Sequence, residues 1–87
     1  MAHAYRVVIL RRAVKELKAV GHLKDRSALA ARIAGLADDP RPAGCAKLEG
    51  MEAYRVRQGD YRILYTVNDR EVVVEVIRVG HRSDVYR

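Results

Sequence analysis

The segment Tyr54–Tyr65 (YRVRQGDYRILY) restricts the fold more than any other part of this chain. Polar and apolar residues alternate on both sides of Gly59 and Asp60, and a two-residue loop with Gly first commonly joins antiparallel strands. The sequence therefore predicts a β-hairpin in which Arg57 lies opposite Arg62. Because successive side chains of a strand point to opposite faces, the hairpin has one apolar face. That face carries Tyr54, Val56, Tyr61, Ile63 and Tyr65.

Three arginines, Arg55, Arg57 and Arg62, share the other face of the predicted hairpin. Like charges directly opposite one another destabilise a sheet, so we expect a chain that keeps such a pair to need it for an anion. Guanidinium groups fit phosphate oxygens bidentately. A solvated outer face is the alternative, but the crowding of like charges favours a phosphate-binding surface.

The remaining segments predict an α+β fold. Residues 5–10 are apolar on both faces, as in a strand that is covered on both sides. Residues 11–20 have apolar residues at helical spacing, as does a second segment that begins near Asp25, a candidate N-cap, and ends before Pro40. The order β-α-α-β-β-β predicts a small antiparallel β-sheet with a helical hairpin packed on one face. We expect the first strand to pair with the last.

A second turn, at Asp69 and Arg70, predicts the last strand. In the register that this turn sets, Arg62 lies opposite Ile77 and the apolar faces of three strands coincide. We expect Gly80 to end the strand, so the tail would begin about three residues (~10 Å) beyond Arg62.

Composition limits the class of protein. The 87 residues make one domain over residues 1–87. There are 17 Lys and Arg against 11 Asp and Glu, a formal net charge of +6 that favours nucleic acid or an acidic protein as partner, although many small proteins are basic for solubility. No apolar run is long enough to span a membrane, and the first residues lack a signal-peptide pattern. A single cysteine, Cys45, fits a reducing cytoplasm.

The C-terminal residues His81, Arg82 and Tyr86 form a second group. If the tail folds back toward Arg62, it brings an imidazole, a phenol and a fixed cation to the phosphate-binding arginines. Cleavage of RNA by its own 2′-OH needs a base, an acid for the leaving 5′-oxygen and positive charge beside the phosphorane. This set supplies all three, so we expect neither a metal nor a cofactor. A solvated chain end is the alternative.

Other candidate residues offer less. Lys47, just before the hairpin, either extends the phosphate-binding surface or is plain surface. Cys45 has no evident activating base and is expected to be an ordinary thiol. His3 and His22 have no partner at metal-ligand spacing.

Three pieces follow one another at a characteristic spacing: KLEG at residues 47–50, GDYR at 59–62 and GHRSDVY at 80–86. Together they resemble the C-terminal half of the RelE-type toxins of bacterial toxin–antitoxin pairs. The first half of the chain is similar to that family only in its strand–helix–helix pattern.

The resemblance implies a ribosome-dependent mRNA endonuclease (an mRNA interferase) that enters the ribosomal A site, cuts the bound codon and inhibits translation. It implies that Arg62 and Arg82 stabilise the transition state and that Tyr86 stacks on or activates the RNA. Because arginine stays protonated at neutral pH, it cannot be the general base. His81 is then the candidate base, with Tyr86 as the alternative.

Arg55 and Arg57 stand where the best-known member of that family has lysines, and we expect them to hold the RNA backbone. The resemblance also implies a cognate antitoxin that covers the arginine face, the ribosome and mRNA as targets, no membrane partner, and contact with DNA only through the antitoxin complex. A sister branch, the ParE-type toxins, shares the fold but inhibits DNA gyrase without cutting RNA, and it is the alternative. A binding module without catalysis is a third possibility, since basic surfaces bind phosphate whether or not they cut it.

Overall fold

The computed structural model describes residues 4–83, in which two helices pack against one face of a five-stranded sheet. In chain order the elements are β1 (Arg6–Ile9), α1 (Arg11–Lys18), α2 (Leu23–Gly35), β2 (Ala46–Lys47), β3 (Tyr54–Gln58), β4 (Tyr61–Asn68) and β5 (Val73–His81). The strand order across the sheet is β1-β5-β4-β3-β2. The α+β class and the helical hairpin on one face are therefore confirmed. Neither of these two helices is long and apolar enough to cross a membrane.

The sheet is mixed, whereas the sequence predicted a wholly antiparallel one. β1 pairs with β5 as expected, but the two strands run parallel, with Arg6 opposite Val73 and Ile9 opposite Val76. The cause is the helical crossover. Before β3 begins, the crossover returns the chain to the end of the sheet at which β1 starts. Two antiparallel steps, from β3 to β4 and from β4 to β5, then give β5 the direction of β1.

The arginine hairpin has the predicted register, with Arg57 opposite Arg62. Gly59 in its turn has φ +60°, in the left-handed region that glycine enters without a steric penalty. An unpredicted strand, β2, extends the sheet beyond β3 and pairs Ala46 with Arg55. Two residues are too few to show an alternating pattern, so this strand could not be predicted.

The register between β4 and β5 differs from the prediction. Arg62 pairs with Gly80 instead of Ile77. The turn spans four residues, 69–72, instead of two, which displaces the pairing between β4 and β5 by two positions. A bulge beside Leu64 displaces it by one further position. As a result β5 does not end at Gly80 but continues through His81.

The second helix begins earlier than predicted, at Leu23. Asp25 is therefore not the N-cap. It lies in the first turn, where a negative charge interacts favourably with the helix dipole. His22 occupies the cap position and makes no side-chain cap hydrogen bond.

The core lies between the helices and the apolar face of the sheet. Its buried residues are Ala13, Val20, Leu29, Ile33, Leu36, Val56, Ile63, Tyr65, Val74, Val76 and Val79. Tyr54 and Tyr61 pack against this cluster, and the ring of Tyr54 stacks on that of Tyr65 with centroids 5.8 Å apart. The Tyr65 hydroxyl donates a hydrogen bond to the Pro40 carbonyl at 2.7 Å, and burial raises the pKa of this phenol. The hairpin tyrosines thus support the fold, as their position in the alternating pattern predicted.

Candidate phosphate-binding site

The face of the sheet opposite the helices carries the three hairpin arginines. Arg57 and Arg62 are cross-strand partners, and Arg55 lies opposite Leu64. Leu64 is only 5% exposed, and the Nε atoms of Arg55 and Arg62 are buried. The side chains of Arg55 and Arg62 are thus partly buried on this face, as the stems of long basic side chains often are on apolar surface.

Arg62 lines a small cleft at the turn end of the hairpin, which we call the arginine cleft. Its volume is about 110 Å³, and its other lining residues are Arg57, Gly59, Asp60, Tyr61 and Arg82. The chain that follows β5 closes one side of it. The Arg82 backbone N–H donates to the Asp60 carbonyl at 2.8 Å, and Nη1 of Arg62 donates to the Arg82 carbonyl at 3.1 Å. The tail thus begins beside Arg62 and not ~10 Å from it, because of the altered register.

The arginine cleft is suited to an anion. Three arginines line it, and Asp60 is the one acidic residue among the lining residues. An anion between the arginines would replace their mutual repulsion with attraction. Guanidinium groups that are already positioned can bind phosphate oxygens through paired N–H donors.

His81 lies on the other side of the sheet at this end. Its cross-strand partner is Tyr61, and the two rings meet edge-on at an angle of 83° with centroids 5.8 Å apart. Because Tyr61 packs against the core, the His81 ring lies on the helix side, whereas Arg62 belongs to the opposite face. His81 lines a second cleft of about 290 Å³ between α1 and β5, which we call the α1–β5 cleft. Tyr61 lines both clefts. The structure therefore brings Arg62 and Arg82 together, but not His81 with them.

The His81 ring is held by the residue two positions later. Nδ1 lies 3.0 Å from Oγ of Ser83 and 3.4 Å from its backbone nitrogen. A backbone N–H can only donate, so both contacts are satisfied when Nδ1 accepts. In the neutral ring the proton then resides on Nε2.

Lys47 and Tyr86 are not placed with the arginines. Lys47 pairs with Tyr54 and so shares the face opposite to that of Arg55. Its Nζ lies 2.9 Å from a carboxylate oxygen of Glu52, and this hydrogen-bonded ion pair raises the pKa of the lysine. Tyr86 lies outside the described residues.

A cluster of polar side chains at the other end of β4 was not predicted from the sequence. Arg41 binds the Asp69 carboxylate with both Nη atoms, at 3.1 and 2.9 Å, and its Nε donates to the Tyr54 hydroxyl at 3.1 Å. The Tyr5 hydroxyl donates to the same carboxylate at 2.7 Å. The hydrogen bonds from Arg41 and then Tyr5 lower the pKa of Asp69 to about 2. These partners are far apart in the chain, so no local pattern revealed them.

A second unpredicted contact fixes the strand that leads to the tail. Glu16 on α1 accepts hydrogen bonds from Nε of Arg78 at 2.9 and 3.2 Å and from the Val79 backbone N–H at 2.9 Å. β1 ends opposite Val76, so beyond that point it offers no strand partner to β5. Glu16 supplies the acceptor there and connects α1 to the residues just before His81.

Comparison with known proteins gives consistent matches. Residues 7–86 match the family model described as the ParE toxin of type II toxin–antitoxin system, parDE. The chain is 28% identical over 86 residues to Toxin RelE of Mycobacterium tuberculosis, a match that covers 98% of this chain and 89% of that protein. A shorter match, 44% identical over 34 residues, spans 39% of the length of Toxin RelG from the same organism. Among solved structures, the archaeal RelE–RelB complex from Pyrococcus horikoshii superposes with a TM-score of 0.81 at 30% identity, covering 94% of this chain and 99% of that chain.

Proposed function

Because this chain belongs to the ParE toxin family of type II toxin–antitoxin systems, as a RelE-type member of the RelE/ParE superfamily, we propose that it is a ribosome-dependent mRNA endonuclease. It would cut the codon in the ribosomal A site, in the cytoplasm, and so inhibit translation. The observation that carries the proposal is the arginine cleft, where Arg57, Arg62 and Arg82 line one small volume.

In the proposed reaction the scissile phosphate occupies the arginine cleft. The ribose 2′-oxygen attacks phosphorus, the bond from phosphorus to the 5′-oxygen breaks, and a 2′,3′-cyclic phosphate and a 5′-hydroxyl result. Negative charge grows on the non-bridging oxygens as the phosphorane forms. Arg62 and Arg82 would stabilise this charge, and a positive charge that is already oriented does so without reorganisation at the moment of reaction. Arg55 and Arg57 would hold the neighbouring RNA backbone.

Proton transfer would fall to His81 or Tyr86, because the arginines stay protonated. To donate from Nε2 to the leaving 5′-oxygen, His81 would have to be the imidazolium, whose Nδ1 donates to Oγ of Ser83 and no longer accepts from the Ser83 N–H. To take the 2′-OH proton through Nε2, the ring must first release its contact with the Ser83 N–H. His81 therefore remains the candidate base only if that contact opens, and Tyr86 is the alternative.

The test is expression in cells. Growth is followed directly, and cleavage of ribosome-bound mRNA is measured by primer extension. Arg62→Ala and Arg82→Ala are each expected to abolish growth arrest and cleavage while circular dichroism shows an unchanged fold. Arg70→Ala is the matched control, since Arg70 is an exposed arginine in the turn at the other end of β4. Retained toxicity in both site variants would contradict the proposal.

A ParE-like inhibitor of DNA gyrase is the second candidate. The description of the matching family model favours it. Supercoiling by purified gyrase, measured beside translation in the same extract, separates the two functions. Inhibited supercoiling with intact mRNA would replace the nuclease by the gyrase inhibitor.

We further propose that a cognate antitoxin covers the arginine cleft with an acidic segment, and that the toxin meets DNA only through that complex. The structural relative from P. horikoshii is a RelE–RelB complex, which supports a partner of this kind. Binding of such a segment should weaken as salt rises, because exposed charges are screened. Arg57→Gln should reduce both the affinity and its salt dependence.

A further inference from the structure

The α1–β5 cleft has no part in the phosphate contacts proposed above. We propose that it is a nucleobase subsite, which binds a base of the RNA strand next to the phosphate in the arginine cleft. This inference rests on the proposed RNA substrate. It adds a binding site on the helix side of the sheet, away from the arginine face.

The walls of the cleft suit a flat heteroaromatic ring. Ala19 and Val20, at the end of α1, and Val79 on β5 line its apolar part. The rings of Tyr61 and His81 line another part and meet edge-on there. Unpaired RNA bases are commonly bound by stacking on aromatic side chains and by apolar contact.

Two charged side chains supply hydrogen-bonding groups in the same cleft. Glu16 and Arg78 both line it, and their ion pair holds each in a defined position. Their side chains are only 23% and 17% exposed, so they are partly shielded from solvent. An apolar cleft with a few oriented polar groups is typical of small-molecule sites, where the polar groups select the ligand's edge. A carboxylate and a guanidinium side by side can pair with the donor and acceptor edge of a base.

The position of the cleft matches the connectivity of a nucleotide. Tyr61 lines both clefts, and Arg62 is its chain neighbour on the opposite face. A base and its phosphate are joined through one ribose. A strand that crosses the end of the sheet at Tyr61 can therefore place a phosphate beside Arg62 and the attached base in the α1–β5 cleft. The arginine cleft, at about 110 Å³, is much smaller than the α1–β5 cleft, at about 290 Å³.

The test is the binding of two matched probes to the full chain, which is monitored through NMR chemical-shift changes. One probe is a dinucleotide with 2′-deoxy sugars, which cannot be cleaved, and the other has the same backbone with one base removed. The dinucleotide should shift resonances of Val20 and Val79 together with those of Arg62. The abasic probe should shift only the arginine cleft and bind roughly tenfold more weakly, as expected from the loss of one stacked base.

Filling the cleft provides the second arm. Ala19 is exposed at the end of α1, so Ala19→Leu should fold normally and occupy the cleft. It should weaken binding of the dinucleotide by about the same factor and leave the abasic probe unaffected. Ala30→Leu, the same change at an exposed position of α2, is the control.

Equal affinities for the two probes, or an equal effect of Ala19→Leu on both, would overturn the subsite. If resonances of the arginine cleft still shift, the proposed function is not contradicted. Shifts in neither cleft would reject the subsite. The primer-extension assay then decides separately whether RNA is the substrate.

Discussion

Replacing Glu16 should destabilise the fold through the end of β5. Its carboxylate accepts from Nε of Arg78 and from the Val79 N–H, both at 2.9 Å. Hydrogen bonds to a charged group contribute about 1.5–3 kcal/mol each when buried. The side chains of Glu16 and Arg78 are 23% and 17% exposed, which reduces that figure. We expect Glu16→Ala to lower the free energy of unfolding by about 2 kcal/mol in total.

Glu16→Gln separates the two contributions. The amide oxygen can still accept from the Val79 N–H, while the charge that pairs with Arg78 is lost. We therefore expect a smaller loss than for the alanine variant, about 1 kcal/mol. Glu71→Ala, a change at an exposed glutamate, is the control and should alter stability by less than about 0.5 kcal/mol.

Urea unfolding and thermal melting measure these losses. For a domain of this size a change of 1 kcal/mol moves the melting temperature by about 4–8 °C, so Glu16→Ala should melt roughly 8–16 °C lower. Amide exchange should accelerate at residues 79–82, because the contact that holds this strand end to α1 is gone. A loss below about 0.5 kcal/mol, or equal losses for the alanine and glutamine variants, would refute the role given to the Val79 N–H.

Three further predictions concern single contacts. The pKa of Asp69 is lowered to about 2, so the contribution of this carboxylate to stability should be complete above the ordinary carboxyl pKa and lost as pH falls through about 2. The melting temperature of Asp69→Asn should therefore lie below that of the wild type at pH 6, and the difference should vanish near pH 2. Ser83→Ala removes the hydroxyl but keeps the backbone N–H that makes Nδ1 an acceptor, so the proton of the neutral His81 ring should stay on Nε2, seen in imidazole ¹⁵N shifts, with an unchanged melting temperature; a move of the proton to Nδ1 would show that the hydroxyl, and not the N–H, sets the tautomer. Val72 has φ +58°, which is strained for a β-branched residue, so Val72→Asn should stabilise the protein by about 1 kcal/mol in urea unfolding, and a destabilisation would contradict this reasoning.

The parts of the fold that local patterns encode were predicted from sequence. The hairpin register followed from one two-residue turn and the alternation around it. The predicted length of the turn at residues 69–72 was wrong. The turn depends on Val72 in a left-handed conformation, which no sequence pattern predicts. The bulge beside Leu64 and the parallel direction of β1 likewise depend on the assembled sheet.

The candidate site could be predicted only in part for the same reason. Parity along the hairpin placed Arg57 and Arg62 on one face, and the structure brings Arg82 to them. The side on which His81 lies depends on the bulge beside Leu64. A shift of one residue moves the side chains beyond it to the other face of the sheet, whereas the two-position shift caused by the turn does not. Tyr86 lies outside the described residues, and its role stays a prediction.

The cross-strand pair of Arg57 and Arg62 destabilises the free protein but favours the binding of an anion. Replacing either arginine with a glutamate or a threonine would relieve a repulsion in the free protein. Under selection for thermal stability alone, with no demand for binding, this position should be among the first to lose a positive charge. Evolution toward a harmless, more stable variant of this protein is therefore expected to begin at the pair that makes it a candidate toxin.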